Sequence, residues 1–157
     1  MTGTAKAGPM RSRGPMGPNF DGEKVVYTEH WSHIRFGGSV MTDALVKHVL
    51  GLASFGMSDV GEVFETMCHV DPNSRDSWIV AWSGMAKRLQ DRAEAAAVAG
   101  HRVSASSAYL RAATYWRVSL MDFDGIDDPR MRSHIVARSE CYEKYLELGD
   151  YPGEYVE

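Results

Sequence analysis

The sequence predicts a mainly α-helical protein of about five helices, with a central antiparallel helical hairpin, preceded by a flexible leader and a short extended segment. Three observations carry this. From Ser39 onward, apolar residues recur at spacings of three and four. Glycine, proline and aspartate fall where helices must start and stop, and only Gly100 to Val103 separates the third helical pattern from the fourth.

Residues 1–20 hold three of the six prolines, four of the fifteen glycines and three bases (Lys6, Arg11, Arg13) with no acid, which is the composition of a flexible leader. Residues 21–157 are expected to form the helical domain. Its entry, Asp21 to Gly38, carries Val25, Val26, Tyr27, Trp31, Ile34 and Phe36 among polar neighbours. That pattern fits a strand pair, or an extended segment pinned onto helices by its aromatics.

Ser39 or Thr42 is placed to cap a first helix carrying Leu45, Val49 and Leu52 and ending near Gly56. Ser58 then caps a short second helix with Val60, Val63, Phe64 and Met67, closed by the turn residues Asp71-Pro72-Asn73. Asp76 opens a third helix, spanning 77–99, in which Trp78, Trp82, Met85, Leu89 and Ala96 form an apolar stripe. Gly100 suits the left-handed position that ends it. The fourth helix, 104–121, starts at Ser104 and has two apolar faces: Ala105, Ala108, Ala112 and Tyr115 on one, Tyr109, Ala113, Trp116 and Leu120 on the other. Such a helix should be covered from two directions. Asp128-Pro129 supplies a cap and a first-turn proline for a fifth helix running through Ile135, Tyr142 and Leu146 to Gly149. Within it Glu140 and Lys144 stand one turn apart, a spacing worth about 0.2–0.5 kcal/mol when the two pair.

The four-residue connection forces the third and fourth helices antiparallel and adjacent. Alanines at 93, 96, 97, 105, 108 and 112 then permit close backbone approach near the turn, while Trp78, Trp82, Tyr115 and Trp116 lie toward the open end. A mouth lined by rings is filled by neighbouring helices, by a ligand or by another domain.

Charge narrows the functional classes. Seventeen Lys and Arg against twenty-one Asp and Glu give a net charge of −4, and without the leader fourteen bases face twenty-one acids. A broad phosphate-binding surface, and so a nucleic-acid partner, is not expected. No run approaches the roughly 18 apolar residues of a membrane span, and the N-terminus lacks the apolar core of a secretion signal, so a cytoplasmic protein is expected. Cys68 and Cys141 are too few for a disulfide scaffold or a four-ligand zinc site and are expected as free thiols.

Catalytic and metal motifs are absent from the sequence: it holds no H-E-x-x-H, no E-x-x-H, no P-loop and no G-x-G-x-x-G. Gly37-Gly38-Ser39-Val40-Met41 begins like a G-x-S-x-G elbow but has Met41 where the last glycine belongs. His30 and His33 have ligand-like spacing, with Glu29 the nearest carboxylate, which leaves a metal short of donors. Cys68 and His69 are adjacent, so on a helix they point about 100° apart, and Cys68 reads as a buried thiol. Arg111 sits amid the doubly apolar helix. It either pairs with Asp122 or Asp124, or lays its stem over the rings and leaves its charge at the surface. The Asp122–Asp128 run lacks the glutamate and alternation of a calcium loop and reads as an inter-helix connection. No catalytic residue, cofactor or metal is therefore expected in this chain.

The stretch Trp78-x-x-x-Trp82-x-x-x-Ala86-Lys87-Arg88, followed by Ala93 to Gly100 and Ser104-Ala105-x-x-Ala108-Tyr109-Leu110-Arg111-Ala112-Ala113-x-Tyr115-Trp116, resembles the helical N-terminal domain of a group of α/β-hydrolases. That group includes dihydroxypseudooxynicotine hydrolase and fungal polyketide-shortening hydrolases, with fermentation-respiration switch proteins more distant. The resemblance covers about residues 20–157. It implies a lid over a Ser-Asp-His site carried by a separate catalytic domain, which in such enzymes would begin after a connection like Gly149-Asp150-Tyr151-Pro152-Gly153. No position here receives the family's elbow, acid or histidine. A detached lid is expected to associate with a hydrolase catalytic domain or with itself as a dimer, and to help hold a small organic or polyketide-like substrate of secondary metabolism. Trp78, Trp82, Tyr109, Tyr115 and Trp116 are the candidates for substrate- or partner-facing rings. A helix pair with a glycine turn and close-packed alanines also resembles a tetratricopeptide repeat, a protein-interaction scaffold, although such a solenoid needs about three repeats to bury its faces.

Overall fold

The computed structural model describes residues 19–20, 25–26, 36, 39–123, 125 and 127–149. The chain divides into two units, Met1–Arg35 and Phe36–Glu157. In the first, β1 (Asn19–Phe20) and β2 (Val25–Val26) form an antiparallel pair, with Asn19 opposite Val26 and Phe20 opposite Val25. The rest of the leader, His30 and His33, and the aromatic residues Tyr27 and Trp31 lie outside the described residues, as do Gly37, Gly38 and the segment beyond Gly149.

The second unit is helical: α1 (Val40–Gly51) followed by a 3-10 turn (Leu52–Phe55), α2 (Val60–Met67), α3 (Arg75–Val98), α4 (Arg102–Ser119) with a 3-10 turn (Leu120–Asp122), and α5 (Pro129–Leu148). Local chemistry sets these bounds. Ser39 caps α1 by accepting from the Thr42 N–H, and Asp128 caps α5 by accepting from the Arg130 N–H just before Pro129. Gly100 takes φ +79°, the Gly100 N–H donates to Ala97 O at 3.0 Å, and the His101 N–H donates to Ala96 O at 2.9 Å. These two bonds make a Schellman ending that absorbs the last carbonyls of α3 and turns the chain into α4.

Three start positions differ from the sequence expectation. Asp59, not Ser58, caps α2, because the buried Ser58 hydroxyl donates to Val49 O at 2.6 Å and leaves the Asp59 carboxylate to accept from Glu62 N. Ser74, not Asp76, caps α3 by accepting from Ser77 N. Helix α4 begins at Arg102, ahead of Ser104, without a side-chain cap; the Arg102 guanidinium instead donates to Leu148 O at 2.7 Å and Gly149 O at 3.3 Å.

The hairpin of α3 and α4 is the centre of the unit, and α5 packs on the other side of α4. Ala86 and Ala93 on α3 and Ala105, Ala108 and Ala112 on α4 are all buried, as close backbone approach requires. Both faces of α4 are covered: Ala105, Ala112 and Tyr115 are fully buried, and Tyr109, Ala113 and Trp116 nearly so. Helix α1 joins the core through Val46 and Val49, α2 through Val63, and α5 through Cys141.

Candidate functional site

A groove of about 590 Å³ opens where α1, α4 and α5 diverge. His48, Leu52 and Met57 come from α1 and the turn after it, Leu110, Ala113, Thr114 and Arg117 from α4, and Arg138, Ser139 and Tyr142 from α5. The α4 residues follow an i, i+3, i+4, i+7 pattern, which places them on one stripe of the helix as the groove's floor. The volume lies within the roughly 300–1,000 Å³ of small-molecule sites. Its lining is mostly apolar carbon, with hydroxyls from Thr114, Ser139 and Tyr142 and bases from His48, Arg117 and Arg138. The Arg117 guanidinium lies 3.4 Å from the His48 imidazole Nε2.

A polar cluster joins α2 to α4. Arg111 Nε donates to both Glu62 carboxylate oxygens, at 3.0 and 3.3 Å, and Nη1 donates to the Ser107 hydroxyl at 2.9 Å. The Tyr115 hydroxyl donates to Glu62 Oε2 at 2.9 Å and accepts from the Asp59 N–H at 2.9 Å. Burial, with the adjacent Glu62 carboxylate, pushes the Tyr115 phenol far above its ordinary range, partly offset by the Asp59 N–H and Arg111. Arg111 thus pairs with Glu62, forty-nine residues away, and not with Asp122, while Asp124 lies outside the described residues. Its charge is met by a carboxylate, so the cluster is a brace between helices.

Ser119 and His134 meet in the interior, with Ser119 Oγ 2.9 Å from His134 Nδ1. The serine proton is already committed to Trp116 O at 2.7 Å, so Nδ1–H must donate to the serine oxygen. Ser119 is also fully buried. A serine whose proton points at a carbonyl and whose oxygen no substrate can reach is not an activated nucleophile. The histidine ring is packed edge-on by Trp116 and Phe123, with ring centroids 4.9 and 5.4 Å away. Desolvation, helped by the nearby Arg130 and partly opposed by Asp128, lowers its pKa below the usual histidine value. Arg130 forks onto Asp128, holding that carboxyl at about 2, and reaches Asp76 at 2.9 Å, which ties the N-termini of α3 and α5 together.

The five rings singled out in the sequence are interior, and none lines the groove. Trp78 donates its indole N–H to Val118 O at 3.0 Å. Trp82, fully buried, lies between the Trp78 and Tyr115 rings with both centroids 5.4 Å away. Tyr109 has the Lys144 ammonium 5.3 Å from its centroid, and Trp116 donates to Gln90 at 3.3 Å. Helical neighbours enclose these rings, and the groove is lined by other residues, among them Leu52, Leu110, Ala113 and Tyr142, which the sequence marks only as helix positions. Lys144 lies 3.7 Å from Glu94 across the helices, in place of the local Glu140 pairing expected from spacing. Cys141 is buried as a core thiol and pushed up to about 11 by that burial, whereas Cys68 is exposed at the end of α2, contrary to expectation. Among the described residues no three His, Cys, Asp or Glu side chains gather as a metal site requires, and no helix is long and apolar enough to cross a membrane.

Comparison with known proteins finds similar hydrolases. An α/β-hydrolase of Xenoacremonium sinensis is 38% identical over 115 residues, which cover 73% of this chain and 27% of that protein. An α/β-hydrolase of an Acremonium species is 37% identical over 121 residues, covering 77% and 28%, and 20-hydroxy-prefusarin hydrolase of Gibberella moniliformis is 35% identical over 97 residues, covering 61% and 23%. No family model matches the chain. No solved structure matches it. The matched region spans 23–28% of the length of these curated relatives. By sequence the chain is similar to one segment of these α/β-hydrolases.

Proposed function

We propose that the chain is the lid and pocket-forming part of an α/β-hydrolase that acts on a small organic or polyketide-like substrate, and that its partner is a hydrolase catalytic domain. The observation that carries this is the groove itself: an apolar, ligand-sized recess floored by α4, in a chain similar to one segment of those enzymes. Tyr142 and Ile135, both exposed on α5 and spaced to share a face, extend the apolar surface beside it. In this reading the groove forms one wall of the substrate pocket, and attacking groups come from elsewhere. A cytoplasmic setting in secondary metabolism is part of this proposal; the Gibberella relative's name supports only a hydrolase of a small organic substrate. The tetratricopeptide alternative draws on the same hairpin, and no relative's name favours it.

The test is a graft. The matched segment of the Gibberella hydrolase is replaced by this chain, and turnover of 20-hydroxy-prefusarin is measured with and without Leu110→Trp, which fills the groove floor. The reading expects a folded chimera that turns over substrate, with KM raised by Leu110→Trp. An active chimera whose KM ignores the filled groove would show that this surface does not meet substrate.

A further inference from the structure

We propose that the groove takes an amphipathic monoanion, with an apolar body against Leu110, Ala113 and Tyr142 and a carboxylate held between Arg117 and Arg138. This deepens the pocket reading above and rests on it only for the claim that the ligand is a substrate.

The argument is one of charge left over. In a chain with more acids than bases, the basic side chains facing the groove are His48, Arg117 and Arg138, and no acid is among its lining residues. Three arginines elsewhere in the helical unit meet carboxylates: Arg88 reaches Glu65 at 2.8 Å, Arg111 reaches Glu62 at 3.0 Å, and Arg130 reaches both Asp128 and Asp76. Arg117, by contrast, has an imidazole beside it, and among the described residues no carboxylate pairs with Arg117 or Arg138. Arg117 on α4 and Arg138 on α5 both line the same mostly apolar recess, which therefore presents two guanidiniums and no carboxylate. A guanidinium fork matches a planar carboxylate, and the pairing strengthens where water is displaced by apolar walls. Besides His48 and the two arginines, the lining offers only the hydroxyls of Thr114, Ser139 and Tyr142 and otherwise apolar carbon, so a ligand charged at one end and apolar along its body fits best.

The probe is decanoate, with decanamide as its uncharged twin and acetate as the carboxylate without a body. Each is titrated into the 157-residue chain while methyl resonances of Leu52, Met57, Leu110 and Ala113 are followed by NMR. Decanoate is expected to saturate shifts at these methyls and to bind at least about tenfold more tightly than decanamide, the size of effect one charge-assisted contact supplies. Acetate should not saturate them. Arg117→Gln and Arg138→Gln should each bring decanoate toward the affinity of decanamide and leave decanamide unchanged. Equal affinity of acid and amide, no saturable shift at these methyls, or indifference to both glutamines overturns the proposal. The graft separates the two ideas: decanoate binding with an inactive or groove-indifferent chimera keeps the anion site and removes the hydrolase role, and the reverse result removes the ligand class alone.

Discussion

Removing one oxygen tests the brace between α2 and α4. Tyr115 is fully buried, and its hydroxyl makes two 2.9 Å bonds, donating to the Glu62 carboxylate and accepting from the Asp59 N–H. In Tyr115→Phe the ring still fills its place against Trp82, so the change isolates the polar contacts. A bond to a charged group contributes about 1.5–3 kcal/mol and a neutral one about 0.5–1.5. Arg111 remains on Glu62, whose side chain is 15% exposed and within reach of water, so the lower end applies. The expected loss is about 2 kcal/mol, read by urea unfolding, and in a domain of this size Tm should fall by about 4–8 °C. A double-mutant cycle with Glu62→Gln should show coupling of at least about 0.5 kcal/mol. The same group predicts alkaline behaviour. Unfolded tyrosine loses its proton near pH 10, whereas folded Tyr115 keeps it, so the native state binds more protons and stability falls as pH rises through that region. Tyr115→Phe should remove that component. A loss under about 0.5 kcal/mol, or strictly additive effects, would refute the brace.

Other outcomes follow from single side chains. His134, with its pKa lowered by burial, contributes stability that is fully present above the unfolded value of about 6.5 and is lost as pH falls from there toward its folded pKa. Its ring resonances should titrate below that value, and a midpoint at or above it would contradict the desolvated site. Iodoacetamide should label Cys68 in the native protein and Cys141 only after denaturation, giving one adduct and then two by mass spectrometry; rapid native labelling of both would mean the α5 packing opens. The 157-residue chain should not turn over aryl esters above background, since the serine beside a histidine is sealed and its proton is bound elsewhere. Turnover abolished by a serine-directed inhibitor would defeat that expectation.

The helices were legible where local chemistry decides them. Asp128-Pro129 and Gly100 each act through their own backbone and side-chain geometry, so no distant partner is needed to read them. The missed starts share another cause. Ser58-Asp59 and Ser74-Arg75-Asp76 each offer competing caps within two residues, and the choice is made by tertiary contacts such as the Ser58 bond to Val49 O. Arg102 takes its place at the head of α4 while reaching the end of α5, a contact that no local window contains. Pairings failed for the same reason: Arg111 and Lys144 had plausible neighbours nearby in sequence, yet found Glu62 and Glu94 across the fold.

The five candidate rings are interior, and the groove is lined by other side chains. Large rings on a helical stripe stabilise most when wholly buried, at about 1.5–3 kcal/mol for a large apolar side chain, so a bundle able to enclose them does. All five did, and that left α4 with more apolar perimeter than its neighbours cover. Its sequence shows two faces, Ala105-Ala108-Ala112-Tyr115 and Tyr109-Ala113-Trp116-Leu120, which α3 and α5 help to bury. A third runs through Leu110, Ala113, Thr114 and Arg117 at the same helical spacing. Because α1 and α5 flank this third face without meeting over it, its middle stays open as the groove. The legible signal was an apolar stripe ending in arginine on a helix whose other two faces were already spoken for. A position that is apolar without being needed by the core, beside a base without a carboxylate, is where this fold leaves room for something else.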